Sequence, residues 1–140
     1  MTFEGNGDSS FKRPPETNPH YHGNEVRTIF IIGAGVLLVA ESIGVTLPLS
    51  AGGAVVAAII LAVAGGITNP IQTWTHWANE LIAIAGVIIF GTAAVEQYRT
   101  GVVFDLSFAF IEGIAFLSLV ALYFTTRTIR FLLLRPHLGK

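Results

Sequence analysis

Glu41 and Glu112 are the residues whose type and setting in this sequence could do chemistry. Each stands inside a long apolar run. A carboxylate in hydrocarbon costs roughly 2.5–3.5 kcal/mol on insertion scales. Three states offset that cost: the carboxyl carries a proton, holds a cation, or faces a water-filled cavity. The first two suit proton- or cation-coupled transport. The structural alternative is a carboxyl that hydrogen-bonds across a helix interface and holds a bundle together. Ser42, Thr46 and Ser107 lie nearby in sequence and could add hydroxyl oxygens. Glu80 is a lesser candidate, beside Asn79 and His76. It also reads as an interfacial charge near a helix start, where negative charge is favoured.

The elements that must position these groups follow from composition. Of 140 residues, 52% are hydrophobic and only 12% are charged, about half the charged share of a soluble domain. Between Arg27 and Arg99 there is no Lys or Arg, and the only charges are Glu41, Glu80 and Glu96. That gap points to lipid as the solvent. The expected fold is an all-α membrane protein: four transmembrane helices in an antiparallel bundle, with both termini on one side. Their expected ranges are 26–47, 51–67, 76–98 and 105–127, within a transmembrane domain over 25–128. Pro48 ends the first segment. The link through Ser50 is so short that the first two helices must be neighbours. Gly65, Gly66, Asn69 and Pro70 break the second segment, and Asp105 is a plausible cap for the fourth.

The first 24 residues are rich in Gly, Pro, Asn and Ser, and read as a flexible polar tail. They lack the short basic start and apolar stretch of a secretory signal, so the tail is expected to stay on the mature protein. Residues 129–140 mix Arg130, Arg135 and Lys140 with apolar residues and read as a basic amphipathic tail on the membrane surface. Trp74, Trp77, Tyr98 and Arg127 are the expected interface anchors. Seven of the eight basic residues (Lys12, Arg13, Arg27, Arg127, Arg130, Arg135 and Lys140, but not Arg99) lie on the two tails or at their helix ends. The positive-inside rule therefore expects both termini in the cytoplasm. In that topology Glu41 and Glu112 each lie ~10 Å from the outer end of their helices, at one depth.

In the second segment Ala54, Ala58, Ala62 and Gly66 repeat every fourth position and read as a packing stripe, since helices in lipid associate by close backbone approach. The chain has no cysteine and a net charge of -1, which leaves no thiolate site and no electrostatic basis for binding nucleic acid. No phosphate loop, zinc-spaced histidine pair on a helix, or nucleophile elbow is present, so no enzyme and no cofactor are expected. His20 and His22 lack carboxylate or thiolate company, and His76 between two tryptophans reads as interfacial; no metal site is expected.

Residues 35–47, Gly-Val-Leu-Leu-Val-Ala-Glu-Ser-Ile-Gly-Val-Thr-Leu, resemble the first helix of small multidrug resistance transporters. That resemblance implies a short four-helix, proton-coupled exporter working as a dimer, with Glu41 matching the glutamate that binds proton and cationic drug in turn. It covers 13 residues. The third segment lacks that family's aromatic and glycine signature, Glu112 has no counterpart there, and the polar N-terminal tail is also unlike it. From the residues themselves, the expected function is a small oligomeric channel or a proton/cation-coupled transporter subunit. The alternatives are a non-transporting scaffold or accessory subunit and, more remotely, a holin-like pore former. The expected partners are the lipid bilayer and further copies of the chain or a membrane complex.

Overall fold

Two glycines in left-handed conformation set where the first and third helices stop. Gly44 has φ +73° and Gly101 φ +79°, a backbone state that costs glycine nothing and other residues dearly. At Gly44 the amide donates to the Glu41 carbonyl at 3.1 Å, and the Val45 amide donates to Ala40 at 3.0 Å. At Gly101 the same pair recurs: Gly101 to Tyr98 at 3.2 Å and Val102 to Gln97 at 3.0 Å. Both are Schellman caps, which satisfy the last carbonyls of a helix.

The computed structural model describes residues 23–67 and 72–134. Among them all regular structure is helical: α1 (Gly23–Ser42), α2 (Ala51–Ile67), α3 (Thr73–Arg99) and α4 (Leu106–Leu134). α1 therefore ends five residues before Leu47, because Gly44 terminates it ahead of Pro48. α2 starts under Ser50, whose Oγ accepts from the Gly53 amide at 3.2 Å, an N-cap that satisfies an orphan donor. Asp105 directly precedes α4, and its carbonyl accepts from the Phe108 amide at 3.1 Å. α4 continues through Ile129 to Leu134, so the start of the expected surface tail is helical. The N-terminal tail, with His20 and His22, lies outside the described residues, as do Asn69, Pro70 and the last six residues.

α1, α3 and α4 are long and apolar enough to cross a membrane, while α2 is a shorter apolar helix of 17 residues. The order round the bundle is α1, α2, α3, α4; α3 lies most closely on α4, and the seam between α2 and α3 is the loosest. Two buried layers each draw on all four helices. One holds Leu37, Ala58, Phe90 and Ile111; the other holds Val26, Ala64, Ala83 and Ala121. The outward faces are apolar too, with Ile31, Val56, Ile59, Ile88, Val95 and Phe116 each about half exposed or more.

The α1–α2 contact follows Ala54, Ala58 and Gly65, all buried, with Leu61 between them against Gly33. Ala62 and Gly66, the other half of the expected stripe, are exposed. A step of four residues turns a helix 400°, so a strict fourfold spacing drifts ~40° per step off a fixed face. At Gly65 a Cβ would sit 3.1 Å from the Ile31 side chain and 3.2 Å from the Arg27 carbonyl; at Gly66 it would meet nothing within 4 Å. Gly65→Val is therefore expected to lower stability by about 1–3 kcal/mol through overpacking. Gly66→Ala is expected to be neutral or to stabilise by up to ~1 kcal/mol through helix propensity. Thermal unfolding in detergent distinguishes the two; equal effects would show that the α1–α2 seam does not run through Gly65.

Candidate functional site

Polar groups gather at two levels of the bundle. At the first, the loop after α1 meets the start of α4. Thr46 Oγ1 and Ser107 Oγ lie 2.8 Å apart in a hydrogen bond. Ser107 is buried and belongs to the inward stripe of α4, which continues through Ile111, Ile114 and Ala115. Glu41 and Glu112 each lie five residues from this bond in sequence. Glu41 is half-buried at the end of α1, one position past fully buried Ala40, and Glu112 is exposed. The reason is angular. Successive residues of a helix are 100° apart, so Glu112, one step past inward-facing Ile111, points off the core stripe. Neither carboxylate makes a hydrogen bond or ion pair among the described residues. Ser42 Oγ donates to its own helix, to the Leu38 carbonyl at 2.7 Å. Of the four expected site residues, only Thr46 is thus tied across the bundle, to Ser107.

The second level holds the larger buried polar cluster. On α3, Thr75, His76 and Asn79 are buried, and on α4 so are Thr125 and Thr128. Glu80 joins the two helices: its Oε1 accepts from Thr126 Oγ1 at 2.7 Å. Its Oε2 is buried with no hydrogen-bond partner among the described residues. The threonines return their protons to backbone, Thr75 to Gln72 at 2.7 Å, Thr125 to Leu122 at 3.0 Å and Thr128 to Phe124 at 2.9 Å. Their oxygens keep free lone pairs. A carboxylate with one oxygen unpartnered can take up a proton or hold a small hard cation.

Glu80 is therefore better enclosed than Glu112, the reverse of what the sequence suggested. The signal was present in the spacing. His76, Asn79, Glu80 and Ala83 fall at i, i+3, i+4 and i+7, one face of a helix, and that face continues into buried Phe90 and Ala94. His76 is buried between its exposed neighbours Trp74 and Trp77, so the three do not form a single interfacial group. Tyr98 and Arg127 are exposed.

Between the two levels the bundle centre is apolar. A cavity of about 200 Å³ is lined by residues of all four helices, including Gly33, Leu61 and Ile114. Glu112 and Thr126 are 14 residues apart on α4, which is ~21 Å. No protein family, curated protein or solved structure matches the chain.

Proposed function

We propose that the chain is an integral membrane protein with four antiparallel spans, a subunit of an oligomer that moves protons or small cations. The observation that carries this reading is the half-buried carboxylate of Glu80, with Oε1 on exposed Thr126 and Oε2 buried without a partner among the described residues. Several features support the membrane setting. The outward faces are apolar on every helix, where a soluble bundle would carry polar residues. Hydroxyls on exposed positions fold back on their own helices, as Thr28 does to Asn24 and Thr92 to Ile88. That pattern suits a solvent that offers no hydrogen bonds. α2 is ~25 Å long, at the short end for a span, and local bilayer thinning accommodates it.

The pairings support antiparallel neighbours. Glu80 meets Thr126 while Gly86 meets Ser118, and Gly33 meets Leu61 while Gly65 meets Phe30. Even-numbered antiparallel spans return both termini to one side, and the basic residues make that side the cytoplasm. Trp74, Trp77 and Tyr123 are exposed near that end and suit an interfacial belt.

An oligomer follows from Glu112. It is exposed among Ala109, Gly113 and Phe116, which are also exposed, and a carboxylate on lipid is costly. A second copy of the chain would cover it, with the small residues allowing close approach. The polar path then runs between copies at the level of Glu41 and Glu112. One observation favours the non-transporting scaffold instead: the centre of the single bundle has an apolar lining.

Vesicles loaded with a pH- or potassium-sensitive dye decide between these readings. Wild-type protein is expected to give flux above empty vesicles, and Glu112→Gln and Glu41→Gln to reduce it about tenfold, the loss of ~1.4 kcal/mol of charge stabilisation. No flux from wild type sinks the transport reading. Full flux from both variants removes Glu41 and Glu112 from the path.

A further inference from the structure

We infer that the central cavity is a binding site for one hydrocarbon chain of a bilayer lipid, entered sideways between α2 and α3. The inference rests on the membrane reading above. The cavity is lined by Gly33, Ala57, Leu61, Ala85, Ile89 and Ser118, among others. Its hydroxyl, Ser118 Oγ, is already spent on the Ile114 carbonyl at 2.9 Å. A buried water needs two to four polar partners, and this lining does not supply them. Apolar cavities of ~150 Å³ stay dry and take up apolar molecules, and this one measures about 200 Å³.

The seam explains the entry. α2 and α3 touch more lightly than any other neighbouring pair, and small residues on both sides, Ala57 and Ala85, leave the gap open. The lip of the gap is apolar: Ile60 on α2 and Ile89 on α3 line the cavity and are themselves exposed. A gap between two spans opens onto hydrocarbon, where lipid chains are the molecules at hand. The site is also long. On α3 its lining runs from Ile82 to Phe90, ~12 Å along the helix. A slot of that length parallel to the helices matches a chain lying along the bilayer normal. Without an occupant, the lining side chains would lack contact partners on one side, a loss of dispersion energy that a chain restores.

The test places one tryptophan at a time in a Trp74→Phe, Trp77→Phe background, reconstituted in phosphatidylcholine with brominated acyl chains. Bromine quenches the fluorescence of an indole it touches. Phe90→Trp reports from the cavity wall, and Ile59→Trp reports from the outer, exposed face of α2. Both are expected to be quenched. Adding Ala57→Phe, which fills the slot, is expected to abolish most of the quenching at position 90 and leave position 59 unchanged. Ala85→Phe serves as a second plug, and circular dichroism checks that each variant is folded. Quenching at 59 without quenching at 90, or quenching at 90 that both plugs leave intact, overturns the lipid site while the membrane reading stands. No quenching at either position overturns the membrane reading, and this inference with it.

Discussion

Gly86→Ala is expected to destabilise the bundle by about 1–3 kcal/mol through overpacking, although alanine is the better helix former by ~1 kcal/mol. A Cβ at position 86 would fall on Ser118 Oγ and lie 3.0 Å from Ser118 Cβ. Rotating the hydroxyl away breaks its bond to the Ile114 carbonyl and leaves the Cβ clash in place. The remaining escape is to move α3 off α4, the closest seam in the bundle. Where lipid replaces water, that seam rests on close approach and has little hydrophobic drive behind it. The second-site result is sharper. Ser118→Gly is expected to restore the stability of Gly86→Ala, because it removes both atoms in the way, whereas Ser118→Ala removes only one. Gly113→Ala is the control, since a Cβ there meets nothing within 4 Å. Thermal unfolding of wild type, Gly86→Ala, Ser118→Gly and the double variant measures the coupling between the two positions. A Gly86→Ala variant as benign as Gly113→Ala would mean that α3 and α4 are not in backbone-level contact at this point.

How much of this was legible in the sequence differs by level. The four helices were legible, because apolar runs of this length leave few alternatives. Their ends were less so. Pro48 reads as the breaker, yet Gly44 stops α1 through a left-handed residue and two capping bonds. Which of several glycines takes that conformation depends on where the chain turns back, a tertiary matter. Inward faces were harder. In lipid both sides of a helix are apolar, so the amphipathic signal that orients a soluble helix is weak. Ala54 and Ala58 are buried, while Ala62 and Gly66 are exposed. Glu112 stands out in the sequence as a charge in an apolar run. Composition alone does not say that it points away from Ile111 and the core. Glu80 reads from the sequence as an interfacial charge, because it lies close to the start of α3. Its partner Thr126 is 46 residues away, and no local pattern links the two.

Glu80→Gln is expected to bring proton or cation flux down to the level of empty vesicles while leaving stability within ~1 kcal/mol of wild type, because the neutral hydrogen bond it keeps is worth about that much. Glutamine retains the shape of the side chain and an oxygen that accepts from Thr126 Oγ1, now 2.7 Å from Glu80 Oε1. It places an amide where Oε2 is buried without a partner, and it cannot take up a proton or hold a cation's charge. Function and packing therefore separate at this one position. Glu80→Leu removes the acceptor as well, and is expected to cost about 1 kcal/mol through the lost inter-helix hydrogen bond. If Glu80 only fastens α3 to α4, the pattern differs: Glu80→Gln keeps whatever flux the wild type shows, and only Glu80→Leu and Thr126→Val disturb the protein. If Glu80 is the binding group, Thr126→Val keeps flux but shifts the concentration at which it saturates, because the hydroxyl orients Oε1 without carrying the charge. Wild-type flux from Glu80→Gln would remove Glu80 from the transport path, however well its packing explains the stability data.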